Sequence, residues 1–104
     1  MCIRDRVWAT PLYSFTYPAQ LKAFQDRMFC GIAKPFHIPE VGLLLCFEDK
    51  DPTVAQPLLD TYAKSNAYCG QTSIGEVVVH GVYKVGDIAG NEGLEKAYDL
   101  GKSL

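Results

Sequence analysis

Val41-Gly42-Leu43-Leu44-Leu45-Cys46-Phe47 is a seven-residue run without a charged or amide side chain. It has strand length. Its lack of apolar–polar alternation marks a strand covered on both faces, as in a parallel sheet held between helices. Downstream, Asp51-Pro52 supplies an N-cap and a first-turn proline. Val54, Leu58 and Tyr62 follow at i+4 steps, and Gly70 closes that helix. Pro57 sits early in the pattern and predicts a bent or late-starting helix. Residues 76–83 contain Val77-Val78-Val79, a second buried-type strand. Asn91 caps a last helix, whose stripe is Leu94, Ala97, Tyr98 and Leu104.

Upstream of the run, Val7-Trp8-Ala9-Thr10 is a short strand stopped by Pro11. Residues 11–17 form a loop bearing Tyr13, Phe15 and Tyr17. Pro18 suits a first helical turn, and Leu21, Phe24 and Met28 recur at helical spacing. Lys22 and Asp26 make an i,i+4 pair on the other face. Gly31 ends this helix, and residues 33–40 connect it to the central run. The order strand, helix, strand, helix, strand, helix predicts an α/β fold with a parallel sheet and right-handed crossovers.

The 104 residues are 48% hydrophobic with 12 acidic and 10 basic side chains, enough to bury a core and too balanced for disorder. A net charge of −2 lacks the basic excess of a nucleic-acid surface. No apolar run nears the roughly 18 residues of a membrane span. Cys2, Cys30, Cys46 and Cys69 are irregularly spaced, with no C-x-x-C pair. A zinc site and a disulfide framework are therefore not expected, and a reducing, cytoplasmic compartment is. The first six residues, Met1-Cys2-Ile3-Arg4-Asp5-Arg6, are charge-dense without a period and read as a disordered or non-native leader. That hexapeptide also resembles translated adapter sequence at the ends of assembled metagenomic contigs. Residues 7–104 form one domain. Its first strand has a bare edge, which predicts that the sheet is part of a larger one.

In open parallel sheets, ligands bind beyond the carboxyl ends of the strands. The segment Thr10-Pro11-Leu12-Tyr13-Ser14-Phe15 lies at such an end. Its aromatics and hydroxyls could wall a planar heterocycle, or could simply cap the sheet. The acidic group Glu48, Asp49 and Asp51 lacks calcium-loop spacing and reads as a helix cap with solvated neighbours. His37 and His80 read as solvated or core-edge histidines. Ser14 has no assignable base for a nucleophilic role.

Residues 9–29, ATPLYSFTYPAQLKAFQDRMF, resemble the segment after the third strand of the flavodoxin-like NAD(P)H-dependent FMN reductases, a group that includes the iron–sulfur flavoproteins. The matching elements are Thr10-Pro11-Leu12-Tyr13 and Gln20-Leu21-Lys22-Ala23-Phe24-Gln25-Asp26-Arg27. The ending GVYKVGDIAGNEGLEKAYDLGKSL is similar to that family's C-terminal turn and helix. The resemblance covers residues 7–104. It implies a flavodoxin-like three-layer α/β/α fold represented by its last three strands and helices.

The resemblance further implies that the isoalloxazine ring of FMN lies against Thr10, Pro11, Leu12, Tyr13, Ser14 and Phe15, with Phe47 and Glu48 from the next loop beside it. NAD(P)H would be the co-substrate and a quinone, flavin or metal centre the electron acceptor, commonly in a homodimer. Lys22, Asp26 and Arg27 are expected to cap, pair or support a subunit contact. The family's phosphate-binding loop follows its first strand and has no counterpart among these residues, so the chain alone is expected to bind FMN poorly. The alternative is a flavodoxin-type FMN electron carrier without enzyme activity of its own. A third reading, a cofactor-free α/β interaction module, is opposed by the bare first strand.

Overall fold

The structure, a computed structural model, describes residues 5–28 and 38–104. The expected helix stop at Gly31, most of the 33–40 connection, His37, Cys2 and Cys30 lie outside the described residues. Three parallel strands, β1 (Asp5–Pro11), β2 (Glu40–Cys46) and β3 (Thr72–Val79), form a sheet in the order β1-β2-β3. Helices α1 (Ala19–Met28), α2 (Gln56–Cys69) and α3 (Glu92–Lys102) complete the alternation. The fold class is the one read from the sequence.

β1 differs from its prediction at both ends. Asp5 and Arg6 belong to the ladder, opposite Glu40 and Val41, so the strand begins within the hexapeptide read as a leader. Backbone pairing with the start of β2 is blind to side-chain composition, and the Arg6 guanidinium lies 5.1 Å above the Phe24 ring. Pro11 is the last ladder residue, facing Cys46. A proline is tolerated at the end of an edge strand, where its missing N–H costs no ladder bond.

Strand alternation divides the core in two. Trp8, Val41, Leu43 and Leu45 point to one face, where Leu21 and Met28 of α1 and Leu58 and Tyr62 of α2 cover them. Val77 and Val79 point to the other, packing with Leu100 and Ala97 of α3. Trp8 is buried, tilted 6.2 Å from Tyr17 and edge-on to Phe24 at 5.8 Å. In α1 the buried residue is Gln25, while Phe24 stands half-exposed at the rim. The predicted stripe there was correct for Leu21 and Met28 only. Lys22 and Asp26 form the expected exposed pair.

α2 starts late, as Pro57 requires. Asp51 caps a 3-10 turn, Pro52–Ala55, by accepting from the Thr53 amide at 2.9 Å and hydroxyl at 2.7 Å. The α-helix proper then begins with Pro57 in its first turn. Gly70 takes the left-handed conformation (φ 68°) that ends it. The Tyr62 hydroxyl, deep under the sheet, meets the Val41 carbonyl at 3.2 Å and Ser73 Oγ at 2.9 Å.

β3 starts four residues before the predicted strand and ends at Val79, because Thr72-Ser73-Ile74-Gly75 carries no apolar run yet still pairs with β2. In α3 the Asn91 cap holds, accepting from the Gly93 amide at 2.8 Å. The buried stripe is Gly93, Ala97 and Leu100. Leu94, Tyr98 and Leu104 of the expected stripe are exposed. The helix is rotated because Gly93 lets its backbone close on Val79, where a Cβ would stand 2.4 Å from Val79 Cγ2.

Burial pushes the Tyr17 phenol well above its ordinary range, with help from nearby Tyr62 and Glu76, and pushes the Tyr62 phenol up as well. The Tyr17 hydroxyl lies near Gln25 without a hydrogen bond to it. Both phenols stay protonated in the folded chain above pH ~10, where unfolded tyrosine ionises. The unfolded state then binds fewer protons, so stability falls as pH rises above that value. Urea titrations between pH 8 and 11 should show this loss, and Tyr17→Phe should flatten it. A Tyr17→Phe chain with an unchanged slope would contradict the assignment.

Candidate functional site at the carboxyl ends of the strands

The chain leaves β1 through a tight turn. Tyr13 and Thr16 exchange backbone hydrogen bonds of 3.0 and 3.1 Å, and the two residues between them, Ser14 (φ 48°) and Phe15 (φ 67°), both have positive φ. This is the pattern of a type I′ turn, which ordinarily takes Asn-Gly. A β-carbon in the left-handed region costs roughly 1–2 kcal/mol per residue, and such strain concentrates at functional sites. Ser14→Gly is accordingly expected to raise the unfolding free energy by about 1 kcal/mol. A chemical-denaturation midpoint that does not move upward would show the turn to be relaxed.

Opposite the turn stands the end of β2. Phe47 is buried, and its backbone is clamped by its amide donating to Val79 O at 3.0 Å and its carbonyl accepting from Val82 N at 3.1 Å. Its ring is tilted against His80, 6.3 Å away. The turn and this loop border an open hollow of about 210 Å³ lined by Leu12, Ser14, Phe15, Phe47, Glu48, Asp49 and Val54. Five residues expected from the sequence therefore meet in one place: Leu12, Ser14, Phe15, Phe47 and Glu48.

Three do not. Thr10 is buried and donates its hydroxyl to the Pro11 carbonyl at 2.8 Å. Thr10 and Pro11 line a separate apolar hollow of about 410 Å³. Tyr13, mostly exposed, lines neither hollow. For Thr10 and Pro11 the cause is that β1 runs through Pro11, so both belong to the sheet and not to the loop. Asp49, which reads from the sequence as a solvated neighbour of a helix cap, and Val54 line the hollow as well. Val54 reads from its spacing as helix core, but the 3-10 turn after Asp51 swings it to the hollow's rim.

Glu48 and Asp49 also border a polar hollow of about 690 Å³ with Lys50, Gly81, Tyr83, Lys84 and Asp87. Here Asp87 accepts from the Lys84 amide at 2.8 Å and the Tyr83 amide at 3.1 Å, which holds its carboxyl below the ordinary range. The Thr53 hydroxyl and amide do the same for Asp51, while Asp49 accepts from the Asp51 amide at 2.8 Å. These carboxylates serve turns and caps. Among the described residues no group of three or more His, Cys, Asp or Glu side chains is arranged to hold a metal ion. Nor is any described helix long and apolar enough to cross a membrane.

The first hollow has mixed walls, apolar Leu12, Phe15, Phe47 and Val54 beside polar Ser14, Glu48 and Asp49, a lining that could take one face of a planar, amphipathic ring. Among the described residues, the Ser14 and Phe15 amides donate no hydrogen bond within the chain. They are donors available to a ligand's carbonyl or ring nitrogen. No basic side chain lines the hollow and two carboxylates, Glu48 and Asp49, do, so it is not built for a phosphate.

No protein-family model matches the chain, and no curated protein matches it. A solved structure does, that of a Trp repressor binding protein from Bacillus subtilis. The two share 20% sequence identity and superpose with a TM-score of 0.66 over 94% of this chain and 60% of that one. The chain thus spans about 60% of that structural neighbour's length, and its fold is the flavodoxin-like α/β fold.

Proposed function

We propose that the chain is the C-terminal part of a flavodoxin-like, cytoplasmic FMN oxidoreductase that uses NADH or NADPH and serves a small-molecule electron acceptor. The single observation that carries this reading is the strained Ser14–Phe15 turn facing Phe47 across a hollow of mixed polarity, at the carboxyl ends of two parallel strands. Leu12, Phe15 and Phe47 would hold the ring. Ser14 and the free turn amides would meet its polar edge. The flavin, when bound, supplies the hydride and electron chemistry. The chain's own residues position the ring, and hydride transfer needs no acid or base from them. The homodimer common in the resembled family belongs to the same proposal. A flavodoxin-type carrier is the second reading, favoured by the carboxylates of Glu48 and Asp49 on the hollow's rim.

Titrating FMN and riboflavin into the folded chain tests the ring site. Both should quench weakly and alike, with Kd above micromolar, because the hollow offers nothing to the phosphate. Phe15→Ala should weaken both by roughly three- to tenfold, the loss of one aromatic contact, whereas Tyr68→Ala should change neither. A folded chain that leaves flavin fluorescence untouched at millimolar concentration would remove the reading.

A further inference from the structure

Side-chain amides seldom enter a core, yet two of them meet beside Trp8. Gln25 of α1 is 6% exposed and Asn66 of α2 is 7% exposed. Both line a small hollow of about 10 Å³, where Trp8 and Met28 form apolar walls and Ser65 and Gln71 complete the polar side. Asn66 Nδ2 is sealed from bulk solvent and, among the described residues, meets no hydrogen-bond acceptor. The Tyr62 hydroxyl lies nearby but is held by the Val41 carbonyl and Ser73 Oγ. A buried amide N–H is expensive to leave unpaired.

We propose that this hollow is an internal hydration site, holding one ordered water that accepts from Asn66 Nδ2 and bridges it to Gln25. Size selects the occupant, because roughly 10–15 Å³ suits a single water and excludes an organic ligand. Charge agrees: no charged side chain lines the hollow, so an ion would find no counter-charge there. A buried water needs about two to four polar partners, and Gln25, Ser65 and Gln71 stand beside Asn66 to supply them. Gln71 Nε2 is spent on the Ile38 carbonyl at 3.0 Å, which leaves its amide oxygen to accept a water O–H. Turning the Asn66 carboxamide over would exchange donor for acceptor, and water serves either. The partners come from α1, from α2 and from the turn before β3. The water is thus a polar joint tying α2 to α1, the helix that follows the Ser14–Phe15 turn. It is independent of any flavin.

Water-selective NOE and ROE spectra of the isotope-labelled chain, recorded without flavin, test the site. The Asn66 side-chain amide protons should show a water cross-peak with the sign of a long-lived contact, the ROE separating contact from proton exchange. Gln25→Met removes the partner across the hollow and should weaken that cross-peak. Asn66→Leu gives a second reading, through stability. In a wet hollow it takes the donor from the water and leaves the Gln71 oxygen and Gln25 amide without their bridge. The unfolding equilibrium constant should then rise roughly five- to thirtyfold. In a dry hollow the same change relieves an orphaned amide, and the constant should fall. A constant that falls or stays the same would overturn the proposal. So would a wild-type Asn66 amide without a water contact, or a cross-peak that Gln25→Met leaves at full strength. The wild-type spectra decide the matter even where a variant fails to fold.

Discussion

Leu43→Ala is expected to lower the unfolding free energy by about 2–5 kcal/mol, the usual cost of emptying a fully buried leucine site. Leu43 has no exposed surface and lies in the central strand, facing the larger half of the core. Neighbours on both sides of it are ladder-bound, so the backbone has little freedom to collapse into the space. A domain of this size has only roughly 5–15 kcal/mol to lose. Urea titration followed by circular dichroism would read the change as a lower midpoint at an unaltered slope. A loss under about 1 kcal/mol would mean that β2 is not the centre of the packing.

Gly93→Val should be nearly as damaging, for the opposite reason. The first atom of any side chain at position 93 meets Val79 Cγ2 at 2.4 Å and Asn91 Oδ1 at 3.0 Å. Val79 belongs to a strand and has a stiff, branched side chain, so it cannot swing aside. The helix must lift, which strips cover from Val77, Val79 and Leu100 and breaks the Asn91 cap. Overpacking of this kind costs about 1–3 kcal/mol. Even alanine, which would gain roughly 1 kcal/mol in helix propensity, should come out destabilising. A Gly93→Ala chain of higher stability would show that α3 docks loosely.

How much of this was legible in the sequence follows from what each signal measures. The runs Leu43-Leu44-Leu45 and Val77-Val78-Val79 gave the strands, and Pro57 gave the delayed start of α2, because burial and a missing N–H act locally. The polar start of β3 and the Asp5–Arg6 extension of β1 were not legible, since they exist only through pairing with β2. The rotation of α3 was hidden for a related reason. Hydrophobic spacing nominates Leu94 and Tyr98, but close approach at Gly93 decides which side turns inward. At the candidate site, residue types and order brought Phe15 to attention, and the family resemblance brought Phe47. What spacing could not supply was the handover at Pro11 from strand to turn, which sends Thr10 and Pro11 to another hollow.

Trp8 is the single tryptophan of the chain, and it sits buried on the edge strand between Tyr17 and Phe24. That placement makes the indole a built-in optical probe of one strand. Its emission should be blue in the native state and shift red when β1 leaves the sheet, while the far-ultraviolet dichroism reports mainly on the helices. Edge elements with few partners open at lower free energy than central ones. A red shift that precedes the loss of helical signal during denaturation would identify β1 as the first strand to detach, from two spectra recorded on the same unlabelled sample.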